Sequence, residues 1–164
     1  MDEPVNVVLA GIGGQGVLKA SDILADVAFR TGLDVKKTET HGMSQRGGSV
    51  DSDVRFGGRV WSPVIPAGSA DYVVVLDLQE VEVVRPRLRA GGVLIHPGLV
   101  APEALPNRRC LNVALLGVLS AHLDLAEVLW AESIQAALPA RVHRLNEEAF
   151  QAGRKISMSM LTRR

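Results

Sequence analysis

Val5 to Ala10 is a short run, apolar except for Asn6 and bounded by glycine, as in a strand buried on both faces. Beyond Gly16, the residues Val17, Ala20, Leu24, Val27 and Ala28 recur at helical spacing. Lys19, Asp22, Asp26 and Arg30 fall on the opposite side, so an amphipathic helix is predicted, with Gly32 as its stop. Leu33 to Thr40 reads as a second strand and completes a β-α-β unit with a right-handed crossover. From Ser49 the period drops to two. Val50, Ser52, Val54 and Phe56 alternate with Asp51, Asp53 and Arg55, which predicts a strand with one wet face. Gly57-Gly58 is a hairpin signal leading into Arg59-Val60-Trp61, so an antiparallel ribbon is expected to interrupt a parallel pattern.

The run Ala70 to Asp77, rich in β-branched residues, is the clearest central strand in the chain. Val81, Val84 and Leu88 predict a helix that Pro86 limits, and Gly91-Gly92 leads to a short strand at Val93-Leu94-Ile95. Pro97 to Arg109 is loop-like. Leu111 to Leu123 is apolar nearly all round, which suits either a buried helix or one covering a partner surface. Asp124 followed by Glu127 resembles a capping box for a helix through Leu138, ended by Pro139. Arg141 to Leu145 reads as a short edge strand, and the tail from Asn146 is helical in pattern before Ser157-Met158-Ser159-Met160 blurs it. Strands alternating with helices make the class α/β, with a mostly parallel Rossmann-like sheet.

Charge and composition narrow the function classes. Eighteen basic residues balance 18 acidic ones, so no net field favours nucleic acid or an anionic membrane. A neutral chain also offers little electrostatic resistance to self-association or to docking on another subunit. The acidic N-terminus and the short apolar run behind it fit neither a signal peptide nor a membrane span, which predicts a cytoplasmic protein. No linker or repeat divides residues 1–164, which read as one domain. Cys110 alone can form no internal disulfide and cannot by itself hold zinc or an iron–sulfur cluster. No metal site is expected, and Cys110 is read as a small buried hydrophobe.

Candidate chemistry centres on Gly11-Ile12-Gly13-Gly14-Gln15-Gly16. Four glycines where a strand hands over to a helix bring unpaired amides and the positive end of the helix dipole to one spot, an anion-binding geometry. The spacing also satisfies G-x-G-x-x-G, and a tight turn without a ligand remains the plain alternative. A dinucleotide would need an acidic residue at the end of the second strand, where Glu39 stands a little late. A Walker loop is excluded, because Lys19 follows Leu18 inside the helix. The second loop, His41-Gly42-Met43-Ser44-Gln45-Arg46-Gly47-Gly48, is too rich in glycine and polar groups to be packed core. His41 is a candidate general acid or base or a loop-structuring residue, and Arg46 a candidate fork for a carboxylate or phosphate or a surface ion pair. Asn112 reads as a residue that caps or pins the start of its helix.

Three segments together resemble the gamma subunit or domain of 2-oxoacid:ferredoxin oxidoreductases, above all the small beta subunit of indolepyruvate ferredoxin oxidoreductase. They are Gly11 to Val17, Glu39 to Val50, and Asn112-Val113-Ala114-Leu115-Leu116-Gly117. Ile134 with Ala137-Leu138-Pro139, and Asn146 to Gly153, fit the same family's C-terminal pattern. The resemblance implies a three-layer α/β/α sandwich packed on a larger partner that carries thiamine diphosphate and iron–sulfur clusters. It implies oxidative decarboxylation of a 2-oxoacid to an acyl-CoA by that complex, with electrons passing to ferredoxin, and an isolated chain without activity. It places this domain near the meeting point of coenzyme A and the thiamine-bearing domains. Cofactor contacts are therefore expected from the glycine loop, Gly11, Gly13, Gly14, Gln15 and Gly16, and from His41, Gln45 and Arg46 of the second loop. Between His96 and Asn112 the chain is shorter than the family pattern, by a strand and a helix. Two other readings stay open here, a free-standing NAD(P)-binding protein and a non-catalytic scaffold homo-oligomer.

Overall fold

The computed structural model describes residues 3–41 and 47–163. Five strands, β1 (Val5–Ile12), β2 (Asp34–His41), β3 (Ser49–Gly57), β4 (Ala70–Val75) and β5 (Leu88–Ile95), form one sheet in the order β2-β3-β1-β4-β5. β1, β4 and β5 pair in parallel, whereas β3 is antiparallel to both its neighbours. Four of the five strands therefore share one direction, as the pattern predicts, with β3 inserted between the two strands of the β-α-β unit.

The antiparallel partner of β3 differs from the expected one. β3 folds back on β2, pairing Asp34 with Gly57 and His41 with Val50, and Arg59-Val60-Trp61 forms no strand. Side chains explain this, because they satisfy the backbone after Gly57 in place of a ladder. Asp34 accepts the Val60 N–H at 2.7 Å, Asp53 accepts the Ile65 N–H at 2.9 Å, and the Arg55 guanidinium donates to the Ser62 carbonyl at 2.8 Å.

Alternation along the strands divides the core into two unequal parts. Val7, Leu9, Val54, Phe56, Val74 and Leu76 face the larger part. Against them pack α1 (Val17–Arg30), α3 (Leu111–Ser120), α4 (Glu127–Ala137) and α5 (His143–Leu161). Val8, Ala10, Val73 and Val75 face the other side, which is covered by Ile65 and by Val81 and Val84 of the short α2 (Val81–Val84). The sandwich has three layers, one of them thin. Pro86 stands in the turn Arg85–Arg87 that follows α2, consistent with the limit it sets on the helix, but Leu88, expected on that helix, opens β5 instead, and the strand runs through Gly91-Gly92 with a break in register before Val93.

All of α3 beyond its first residue is buried, by α5 of the same chain among others. The two helices meet at glycines. A Cβ on Gly117 would collide with the Phe150 carbonyl oxygen, and one on Gly153 with the Ala114 carbonyl oxygen. Two helical boundaries depart from expectation. α4 begins at Glu127 with Ala126 as an N-cap that makes no side-chain bond, so Asp124 forms no capping box. The Glu127 carboxylate is instead held by Gln151 at 2.7 Å and Arg154 at 3.3 Å, both on α5. Residues 141–145 are not an edge strand but a turn and the first residues of α5. Asn146 Nδ2 donating to the Val142 carbonyl at 2.9 Å secures that start. No described helix is long and apolar enough to cross a membrane.

Candidate functional site

The chain moves outward from β1 to β2 on one side and to β4 on the other, so the carboxyl end of β1 is the topological switch of the sheet. Open α/β sheets place their ligand crevices there. The glycine loop occupies this position. Gly14 and Gly16 have φ of 93° and 83°, left-handed values that favour glycine. Gly16 precedes α1, which no side chain caps, so the first-turn amides of the helix are left for an anion.

Two distant segments close on the loop. The Gly13 N–H donates to the Gly48 carbonyl at 2.9 Å, which brings the two glycine-rich loops together. Asn112 Nδ2, at the start of α3, donates to the Gly16 carbonyl at 3.3 Å. Asn112 thus pins the head of α3 to the head of α1. Gly11 is buried, and a Cβ there would lie 2.8 Å from Gln15 Oε1 and 2.9 Å from Val17 Cγ2. Its lack of a side chain serves packing, while Gly13 and Gly14 are the exposed members of the motif.

The loop is a wall between two clefts. One, of about 420 Å³, is lined by Gly13, Gly14, Val17, Lys19, His41 and Val50. The other, of about 580 Å³, is lined by Gly14, Gln15, Gly16, Arg108, Arg109 and Asn112. The structure therefore brings His41 beside the glycine loop, at the end of β2, with its ring exposed and Nε2 3.8 Å from Glu39. Gln45 and Arg46 lie outside the described residues.

Glu39 is committed to Lys37, at 2.6 Å, and its strand is separated from β1 by β3. A carboxylate that holds a dinucleotide ribose needs the strand next to β1, so this topology disfavours the dinucleotide reading. Cys110 is buried, and burial pushes its thiol above the ordinary range, which suits an inert hydrophobe and not a nucleophile.

Arg108 and Arg109 were not among the residues read from sequence. Both are exposed on the cleft and stand in no ion pair among the described residues. Their signal was two adjacent cations just before the Asn112 helix, and only the fold shows that this helix starts at the glycine loop. Asp77 was missed too. Its carboxylate accepts from Gln15 Nε2 at 2.8 Å and from the Gln79 N–H at 2.9 Å.

Known proteins share both the sequence and this architecture. Residues 6–106 match the model of the family described as pyruvate ferredoxin/flavodoxin oxidoreductase. The chain is 31% identical to the indolepyruvate oxidoreductase subunit IorB of Thermococcus kodakarensis, over 95% of its own length and 97% of that protein. That alignment spans 198 positions, so the relative carries residues this chain lacks. It is 51% identical to the IorB subunit of Archaeoglobus fulgidus over 46% of its own length, a stretch that takes in 37% of that relative. The fold matches the gamma subunit of a keto/oxoacid ferredoxin oxidoreductase from Geobacter sulfurreducens with a TM-score of 0.80 at 20% identity, covering 94% of this chain and 99% of that one. It also matches a 2-oxoglutarate:ferredoxin oxidoreductase from Magnetococcus marinus, solved with 2-oxoglutarate, coenzyme A and succinyl-CoA bound. There the TM-score is 0.80 at 20% identity, over 97% of this chain and 32% of that longer one. By the family model and the full-length relative, the chain belongs to the pyruvate ferredoxin/flavodoxin oxidoreductase family.

Proposed function

We propose that this chain is the small subunit of a 2-oxoacid:ferredoxin oxidoreductase of the indolepyruvate or pyruvate type, and that its glycine loop forms one wall of the coenzyme A cleft. The observation that carries the reading is the loop itself. Exposed Gly14, an uncapped helix head and the cations Lys19, Arg108 and Arg109 converge at the switch point of the sheet, beside the open wall at Gly13, whose own N–H is taken by Gly48. This is a donor set for phosphate, and coenzyme A presents several phosphates on a long flexible ligand that two adjoining clefts accommodate. Gln45 and Arg46 belong to the same proposal through the loop that follows His41. The chain's single, buried cysteine does not fit a cluster that needs several thiolates. Thiamine diphosphate, the iron–sulfur clusters and the contact with ferredoxin accordingly fall to a partner subunit. In this reading the chain acts in the cytoplasm, turns over nothing alone, and binds, orients and shields coenzyme A in the complex.

Native co-purification tests the assembly. A tagged chain isolated from its own cells brings down a larger subunit with thiamine diphosphate and the visible absorbance of iron–sulfur clusters, identified by mass spectrometry. Recovery of a colourless chain without that subunit overturns the proposal. Calorimetric titration of the recovered complex with coenzyme A tests the cleft.

A further inference from the structure

The Gln15 side chain is the one polar group of the glycine motif that the chain itself engages at both ends. Its Oε1 accepts the Ile12 N–H at 2.8 Å, and its Nε2 donates to Asp77 Oδ2 at 2.8 Å. The two neighbours fix which end is which, since an N–H needs the oxygen and a carboxylate needs the amide. Asp77 uses its other oxygen to accept the Gln79 N–H at 2.9 Å and start the turn Leu78–Glu80. Glu80 of that turn accepts the Ser49 hydroxyl at 2.9 Å, and the adjacent Gly48 takes the Gly13 N–H. The bonds form a closed circuit, from Gln15 through Asp77 and Glu80 to Ser49, Gly48 and back to Gly13. It ties the carboxyl ends of β1 and β4 to the start of β3. Gly11 shows how closely the amide lies on the loop, because any Cβ there would meet Gln15 Oε1.

We propose that Gln15 is a positioning residue and not a contact to the ligand: with Asp77 it holds the loop in the shape that presents the Gly14 amide and the head of α1. The part of this that concerns coenzyme A rests on the function proposed above; the part that concerns the loop does not.

A swap of donor and acceptor tests it. In Gln15→Glu the new carboxylate still accepts from Ile12 but faces Asp77, and the two anions repel. In Asp77→Asn one carboxylate oxygen is lost, leaving Gln15 and Gln79 to share the other. In the double variant, the side-chain amide introduced at position 77 donates to the carboxylate introduced at position 15. That carboxylate still accepts from Ile12, and the amide oxygen at position 77 accepts from Gln79. Net charge is unchanged and every bond is restored, the one between the two side chains with its polarity reversed. Hydrogen exchange of residues 11–17 in the full chain should rise about tenfold or more in Gln15→Glu, less in Asp77→Asn, and return to within about threefold of the original in the double variant. A double variant as open as Gln15→Glu, or unfolded, overturns the proposal. Titration with coenzyme A gives the second readout. Positioning predicts that the double variant, its loop closed, binds within about threefold of the original chain. A closed loop with lost affinity makes Gln15 a ligand contact and overturns the proposal. If the unaltered chain and its complex take up no coenzyme A, the proposed function falls and the exchange comparison alone decides the role of Gln15.

Discussion

Asn112 and Gly16 stand 96 residues apart in sequence, yet the Asn112 amide donates to the Gly16 carbonyl at 3.3 Å and lies 2.5 Å from where a Gly16 Cβ would be. The same side chain accepts the Val113 N–H at 2.9 Å, so it serves the heads of two helices at once. Asn112→Ala should lower stability by about 1–2 kcal/mol, because it strips partners from backbone groups in a nearly closed site. A fall in melting temperature of a few degrees, with weaker uptake of coenzyme A by the complex, is the expected result. Unaltered melting and binding would show that the helix heads hold together without this bond.

The glycines of the loop should separate under substitution. Gly16→Ala meets both a φ of 83° and the Asn112 amide, so it should destabilise by about 1–3 kcal/mol. Gly13 has no such strain, and a Cβ there would find Gly47 N and Gly48 O at an ordinary 3.7 Å. Gly13→Ala should therefore melt within about 0.5 kcal/mol of the original while reducing coenzyme A affinity, since it places a methyl group on the open wall. Equal affinity in this variant would move the ligand away from Gly13.

Arg108 and Arg109 offer a test through ionic strength. Both are exposed and free of ion pairs among the described residues, so Arg108→Gln and Arg109→Gln should leave melting unchanged. If they meet phosphate, each change should weaken coenzyme A binding by about 1.5–3 kcal/mol at low salt, and less as salt rises and screens the contact. Calorimetry at two salt concentrations checks this. Equal binding by all three proteins would assign the 580 Å³ cleft to something else.

The contact between α3 and α5 sets a different kind of limit. Gly117 faces the Phe150 carbonyl and Gly153 the Ala114 carbonyl with no room for a methyl group, so each glycine is fixed by the backbone of the other helix. Gly153→Ala should cost about 3 kcal/mol or more, above the usual range for a substitution, despite its gain in helix propensity. Thermal or denaturant unfolding measures it. A stabilised Gly153→Ala would mean that the helices separate readily.

Strands β1, β3 and β4 and helix α1 were legible in the sequence, because a short apolar or β-branched run, as in β1 and β4, and a period of two or 3.6, as in β3 and α1, are properties of neighbours along the chain. The partner of β3 was not. The Gly57-Gly58 signal is local, whereas the outcome depends on Asp34, Asp53 and Arg55 capturing the backbone that follows. The glycine loop was legible as an anion-binding turn, but Asn112, Asp77 and Gly48 reach it only through tertiary folding, and nothing in their local pattern signals that destination. Gly117 and Gly153 were visible as parts of a resemblance without a reason, and the helix crossing supplies the reason.

The acidic pair on β3 makes the last prediction, one of pH. Arg87 bridges Asp51 and Asp53, at 2.8 Å to each, and Asp53 also accepts the Ile65 N–H. Burial pushes the Asp51 carboxyl above its ordinary value, and the neighbouring Asp53 charge adds to that, although Arg87 opposes it. A carboxyl whose folded-state pKa exceeds its unfolded one binds more protons in the folded chain. The stability it contributes is therefore complete below the ordinary carboxylate value and is lost as pH rises through the elevated one. Asp51→Asn removes this dependence while Asp53 keeps hold of Arg87 and of Ile65. In calorimetric melting across a series that starts at the ordinary carboxylate value and runs to neutral pH, the original chain should lose ground to Asp51→Asn through the interval up to the elevated pKa and stay level above it. A difference that stays constant over that range would mean that Arg87 offsets the burial of Asp51 completely.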